Sequence, residues 1–98
     1  MAFTVRTDDR IDVIDVTDRV VDALPAEADG VCTVFVEHTT AGVCLNEAEP
    51  RLIDDIEEFV RDLAPAEGWR HDELDGNADA HLRSMLVGRS VTVPNRHG

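Results

Sequence analysis

Lysine is absent from this chain, and all nine of its basic residues are Arg, set against 21 acidic ones for a formal net charge of −12. So acidic a surface repels nucleic-acid phosphates and anionic lipid heads, and neither is expected as a partner. Long apolar runs are missing as well. Residues 1–6 hold no apolar stretch of signal-peptide length and no run approaches a membrane span, so a soluble, cytoplasmic protein is expected. Cysteine is limited to Cys32 and Cys44, spaced as neither a zinc finger nor a CxxC pair, and buried free thiols are expected of them. No GxSxG, P-loop, GxGxxG or HExxH motif occurs, so neither a nucleophile nor a phosphate loop stands out by spacing.

What is present points to one folded domain over residues 1–98. The hydrophobic fraction of 43% belongs to a globular chain. At this length the core is near the lower limit of self-sufficiency, so help from a metal or from subunit contacts is expected. The pI near 4.4, with Arg in place of Lys and Asp in excess of Glu, resembles the composition of acidic halophilic proteins. Most of the carboxylates are then solvated surface.

The chain alternates helical and extended patterns. Residues 3–6 and 11–14 read as two short strands joined by a hairpin. Thr17 reads as the N-cap of a short helix carrying Val20, Val21 and Leu24 and stopped by Pro25. Residues 31–36 are apolar on both faces, as in an interior strand, and residues 43–45 form a further short strand. From Pro50, a stripe of Leu52, Ile53, Ile56, Phe59, Val60 and Leu63 opposes an acidic face, which predicts an amphipathic helix. Residues 69–76 read as a polar loop. Asn77 or Asp79 is expected to cap a last helix that packs Leu82, Met85 and Leu86 inward and ends at Gly88. Residues 90–93 are a final strand before a turn-like end that carries an exposed His97.

Three of the four histidines fall in acid-rich segments: Glu37-His38-Thr39-Thr40-Ala41-Gly42 with Asn46-Glu47-Ala48-Glu49-Pro50, and Arg70-His71-Asp72 with Asn77-Ala78-Asp79-Ala80-His81. Imidazole is both a metal ligand and titratable near neutrality. If the rings of His38, His71 and His81 converge, they make an open metal site, with Zn²⁺ or Mg²⁺ as the candidate divalent ion. Glu47 or Glu49 is then the candidate general base, each with a plainer role as a first-turn acid beside a helix N-terminus. Thr39 and Thr40 supply hydroxyls, and Arg70 is placed to pair with a phosphate. Ten residues separate His71 from His81, so they meet only if the loop folds back onto the helix start; otherwise both are surface imidazoles. Asp79 suits a cap and also an imidazole-orienting carboxylate.

These segments, continued by Gly88-Arg89-Ser90-Val91-Thr92-Val93-Pro94, resemble the YjbQ family, also described as secondary thiamine-phosphate synthase enzymes. The likeness runs nearly end to end. It implies an α+β fold, a small β-sandwich with about three helices, assembled as a homotrimer. It also implies a thiamine-phosphate synthase-like transferase, joining a pyrimidine diphosphate to a thiazole phosphate with release of pyrophosphate, as a side activity. A metal near His38, His71 and His81 is implied; on that basis Asn46, Thr39 and Asp79 are expected to orient a small phosphorylated substrate or the metal ligands themselves. Family members continue past the position of Gly98 into strands carrying a Gly-Thr-Trp-Gln segment, so a C-terminally incomplete, weakened domain is expected. The rival expectation is a non-catalytic trimeric module that binds a metal or a small ligand.

Overall fold

The computed structural model describes residues 2–24 and 29–95. The expected helix stop at Pro25 and the turn with His97 lie outside them. Element order is α1 (Thr17–Ala23), β1 (Gly30–Phe35), α2 (Pro50–Asp62), a 3₁₀ turn (Arg70–Glu73), α3 (Ala78–Val87) and β2 (Ser90–Asn95). This is the expected α+β class with three α-helices; of a sandwich, the described residues hold one antiparallel sheet of two strands. In its register Cys32 lies opposite Val93 and Val34 opposite Val91 on the half-buried face. Val31 and Phe35 point the other way and remain 77% and 60% exposed, so β1 is not the interior strand its composition suggested.

Helix α2 forms where its apolar stripe predicts it, with Leu52, Ile53, Ile56, Val60 and Leu63 half-buried but Phe59 exposed. Pro50 occupies its first turn, and the Glu49 carboxylate caps it by accepting from the Leu52 N–H at 2.8 Å. The helix ends against a guanidinium. Arg83 donates to the carbonyls of Val60 (2.7 Å) and Arg61 (3.0 Å) in the last turn and of Ala64 (2.7 Å) just past it, where a helix C-terminus is short of internal donors. Asp79, one turn before Arg83 on α3, accepts from Arg83 and, at 2.7 Å, from Arg10. Arg10 also reaches the carbonyls of Ala66 and Gly76. One buried ion network thus ties the N-terminal segment, the end of α2, the following loop and α3 together.

That network rotates α3 away from the expected packing. Its buried residues are Ala78, Asp79, Arg83 and Ser84, while Met85 and Leu86 are 71% and 65% exposed. The N-terminal hairpin is also absent. Asp12 accepts from the N–H groups of Asp8 and Asp9, and Arg19 donates to the Thr4 carbonyl while standing over the Phe3 ring, so side chains occupy a segment that would otherwise form a ladder. Residues 43–45 make no strand either; only the Val43 N–H pairs, with the Gly88 carbonyl at 2.9 Å. Thr17 does not cap α1, because its hydroxyl and N–H both go to Asp15, whose carboxyl they hold below the ordinary value. Cys32 and Cys44 are free but not buried, Cys44 being exposed. Among the described residues no helix is long and apolar enough to cross a membrane.

Candidate functional site

The polar loop after α2 contains a 3₁₀ turn that the sequence reading missed, and one carboxylate explains it. Asp72 accepts from the Trp69 N–H through one oxygen (3.1 Å) and from the Ala78 N–H through the other (3.3 Å), capping the 3₁₀ turn and the first residue of α3 at once. The signal was an Asp three residues after Trp69 with no apolar residue between. Asn77 occupies the position before α3 without capping it, and its Oδ1 is buried with no hydrogen-bond partner.

Folding the 3₁₀ turn against α3 brings His71 to His81, which lies one turn inside that helix. Their ring centroids are 5.0 Å apart and the planes perpendicular. His71 Nε2 is 3.7 Å from the Asp75 carboxylate. Around the pair is an open pocket of about 640 Å³ lined by Gly68, Trp69, Arg70, His71, Ala78, His81 and Leu82. Trp69 is held as one wall by donating its indole N–H to the Pro65 carbonyl at 2.7 Å. The pocket therefore combines an apolar wall with an Arg and two imidazoles, within the usual size of small-ligand sites, about 300–1,000 Å³.

His38 does not join this pair in the pocket lining. It lies past the end of β1, exposed, with Nδ1 2.8 Å from the Thr40 hydroxyl. Among the described residues no group of three or more His, Cys, Asp or Glu is arranged to hold a metal ion. The expected three-imidazole centre is thus not assembled by one chain, because its rings are carried by two separate corners of the fold. Two imidazoles fall short of the three protein ligands of an open catalytic zinc site.

The remaining candidates divide. Asp79 is completely buried and not in the pocket lining, so its role is to hold the ion network. Burial alone would raise its pKa, but the hydrogen bonds and charges of Arg83 and Arg10 outweigh this and keep it below the ordinary value. Glu49 is also taken: its Arg51 partner at 2.7 Å and the Leu52 N–H hold its carboxyl low, which suits a cap better than a general base. Asn46 turns its Oδ1 back to the Glu47 N–H at 2.8 Å. Glu47 and Thr39 are exposed, and Thr40 serves His38. Arg70 alone of the non-histidine candidates lines the pocket.

Comparison with known proteins agrees over the full length. A family model, "UPF0047 protein YjbQ-like", matches residues 1–98. A UPF0047 protein of Archaeoglobus fulgidus is 43% identical over 99 residues, covering 100% of this chain and 78% of its own length. One from Methanothermobacter thermautotrophicus is 38% identical, covering 95% of this chain and 67% of its own. Among solved structures, a hypothetical protein from Aeropyrum pernix K1 superimposes with a TM-score of 0.89 at 45% identity, covering 98% of this chain and 74% of its own. A YbjQ-like protein of unknown function from Sulfolobus solfataricus gives 0.83 at 33% identity, with 95% and 70% covered. The chain belongs to the YjbQ/UPF0047 family.

Proposed function

We propose that the pocket between the 3₁₀ turn and α3 binds a small phosphorylated heterocycle and that the protein is a cytoplasmic transferase of thiamine-phosphate synthase type. The observation that carries this reading is the perpendicular His71–His81 pair, sharing its pocket with Arg70 and Trp69. In the reaction, a ring nitrogen of the thiazole phosphate forms a bond to the pyrimidine methylene carbon while the C–O bond to the diphosphate breaks. The leaving group is pyrophosphate. Arg70 and the imidazoles supply the donors a departing anion needs, and Trp69, Ala78 and Leu82 supply the apolar surface a heterocycle needs. Metal assistance by Zn²⁺ or Mg²⁺ belongs to this reading only if a second copy completes the ligand set. A homotrimer, as the family resemblance implies, is supported by the apolar residues left exposed on a single chain.

One observation favours the rival reading of a non-catalytic binding module. With Asp79 saturated and Glu49 capping a helix, the pocket holds no carboxylate base of the kind first expected. The two readings separate in calorimetric titration of pyrophosphate into the protein, followed by a chromatographic assay for thiamine phosphate. Binding that falls at least tenfold in both His71→Ala and His81→Ala, with product formed, supports the transferase. Binding with no product supports the module, and binding unchanged in both variants sinks the pocket assignment.

A further inference from the structure

His38 is presented by an unusually well-fixed corner. On one side, the Val36 N–H donates to the Arg89 carbonyl at 2.8 Å, and the Arg89 guanidinium returns donors to the carbonyls of Val36 (3.1 Å) and Glu37 (2.6 Å) while stacking over Phe35. On the other, the Ser84 hydroxyl donates to the Ala41 carbonyl at 2.6 Å and Val43 pairs with Gly88. The turn between closes through the Ala41 N–H to the His38 carbonyl at 3.3 Å. Gly42 has no room for a side chain: a Cβ there would lie 2.7 Å from the Gly88 carbonyl oxygen. The backbone on both sides of the imidazole is therefore held by α3 and by the Gly88-Arg89 link that leads into β2.

The ring itself is held through one nitrogen. Both the Thr40 hydroxyl, at 2.8 Å, and the Thr40 backbone N–H, at 3.4 Å, address His38 Nδ1. A backbone N–H can only donate, so Nδ1 must turn its lone pair inward, and the proton of the neutral ring then sits on Nε2. A metal-bound histidine almost always has the reverse arrangement, one nitrogen on the metal and the other donating its N–H to an acceptor. We infer that Thr40 locks His38 in the Nε2–H tautomer, making it an outward hydrogen-bond donor to an oxyanion such as a phosphate oxygen, and not a metal ligand. Thr40 is the positioning residue. This role uses none of the pocket residues and stands or falls separately from the proposed transferase.

Long-range ¹H–¹⁵N correlation spectra of the labelled full chain test it, recorded at about pH 8.5, some two units above the ordinary imidazole value. The expected wild-type pattern for His38 is a protonated Nε2 and a lone-pair Nδ1; a protonated Nδ1 overturns the inference. In Thr40→Val, which keeps the backbone N–H and loses the hydroxyl, the two nitrogen shifts move toward an average, and Thr40→Ser restores the wild-type pattern. Inorganic phosphate is then titrated in, with Zn²⁺ alone as the parallel arm. A saturable shift of the His38 Nε2–H with phosphate, severalfold weaker in Thr40→Val, supports the donor role. No response to phosphate, or a Zn²⁺-induced switch of His38 to Nδ1–H, overturns it.

Discussion

Asp79, Arg83 and Ser84 are polar, buried and paired, whereas across the sheet and the outer faces of α2 and α3 the apolar side chains are in solvent. Asp79, Arg83 and Ser84 are 0%, 6% and 3% exposed, while Val31, Leu45, Leu74 and Met85 are all above 70%. The usual order of burial is inverted. The accessible surface is 7686 Å², against about 5,500 Å² expected of a folded monomer of 10.8 kDa. The radius of gyration, 15.3 Å, likewise exceeds the value near 13 Å of a compact 100-residue domain. The difference teaches that this fold is pinned by one ion network and carries apolar faces that its own described residues do not cover.

The sharpest way to break that contrast is to remove the pin. Arg83→Met leaves the buried Asp79 carboxylate with Arg10 as its remaining partner and takes the guanidinium away from the Val60, Arg61 and Ala64 carbonyls, and a loss of about 3–5 kcal/mol is expected in urea denaturation. Against a total of about 5–15 kcal/mol for a natural domain, that is a large share of the stability; a loss under 1 kcal/mol would mean the network is ornamental. Acid should mimic it in part. Because the folded Asp79 titrates below its ordinary value of 3.8, its contribution is complete above that pH and disappears as pH falls through the folded value. Asp79→Asn should therefore remove part of the acid sensitivity of the wild-type stability curve.

Gly42→Ala comes next, at about 1–3 kcal/mol, since its Cβ would collide with backbone oxygen rather than a movable side chain. It should also disturb the His38 ring signals while leaving those of His71 and His81 in place. Glu49→Gln weakens a cap and an Arg contact, and a smaller fall in Tm than for Gly42→Ala is expected. The smallest effect is expected for Leu74→Gln, within about 0.5 kcal/mol, because Leu74 is 76% exposed. A large loss there would show that the apolar faces are covered in solution.

The sequence made some of this plain and hid the rest for physical reasons. Helix α2 was legible because a stripe at i, i+3 and i+4 ending beside Pro and Gly admits little else, and residues 90–93 found their strand partner in residues 32–35. Residues 3–6 alternate yet make no ladder, and the Thr4 carbonyl goes to the Arg19 guanidinium instead. Asp79 read as a cap and Arg83 drew no reading at all, since an i, i+4 pair on a helix is ordinarily solvated and only the third partner, Arg10, drawn from 69 positions away, reveals burial. The site was half legible. The meeting of His71 and His81 was visible as a possibility of the loop folding back, but the turn that enforces it depends on Asp72, which composition marks as one acid among 21.

One consequence follows from where Trp69 sits. It is the chain's single tryptophan, there is no tyrosine, and its indole forms a wall of the pocket. Near-ultraviolet emission of the whole protein therefore originates at that wall, and any molecule that settles beside the two imidazoles will change its intensity or wavelength without a label. The fold has placed its only indole where a guest would quench it.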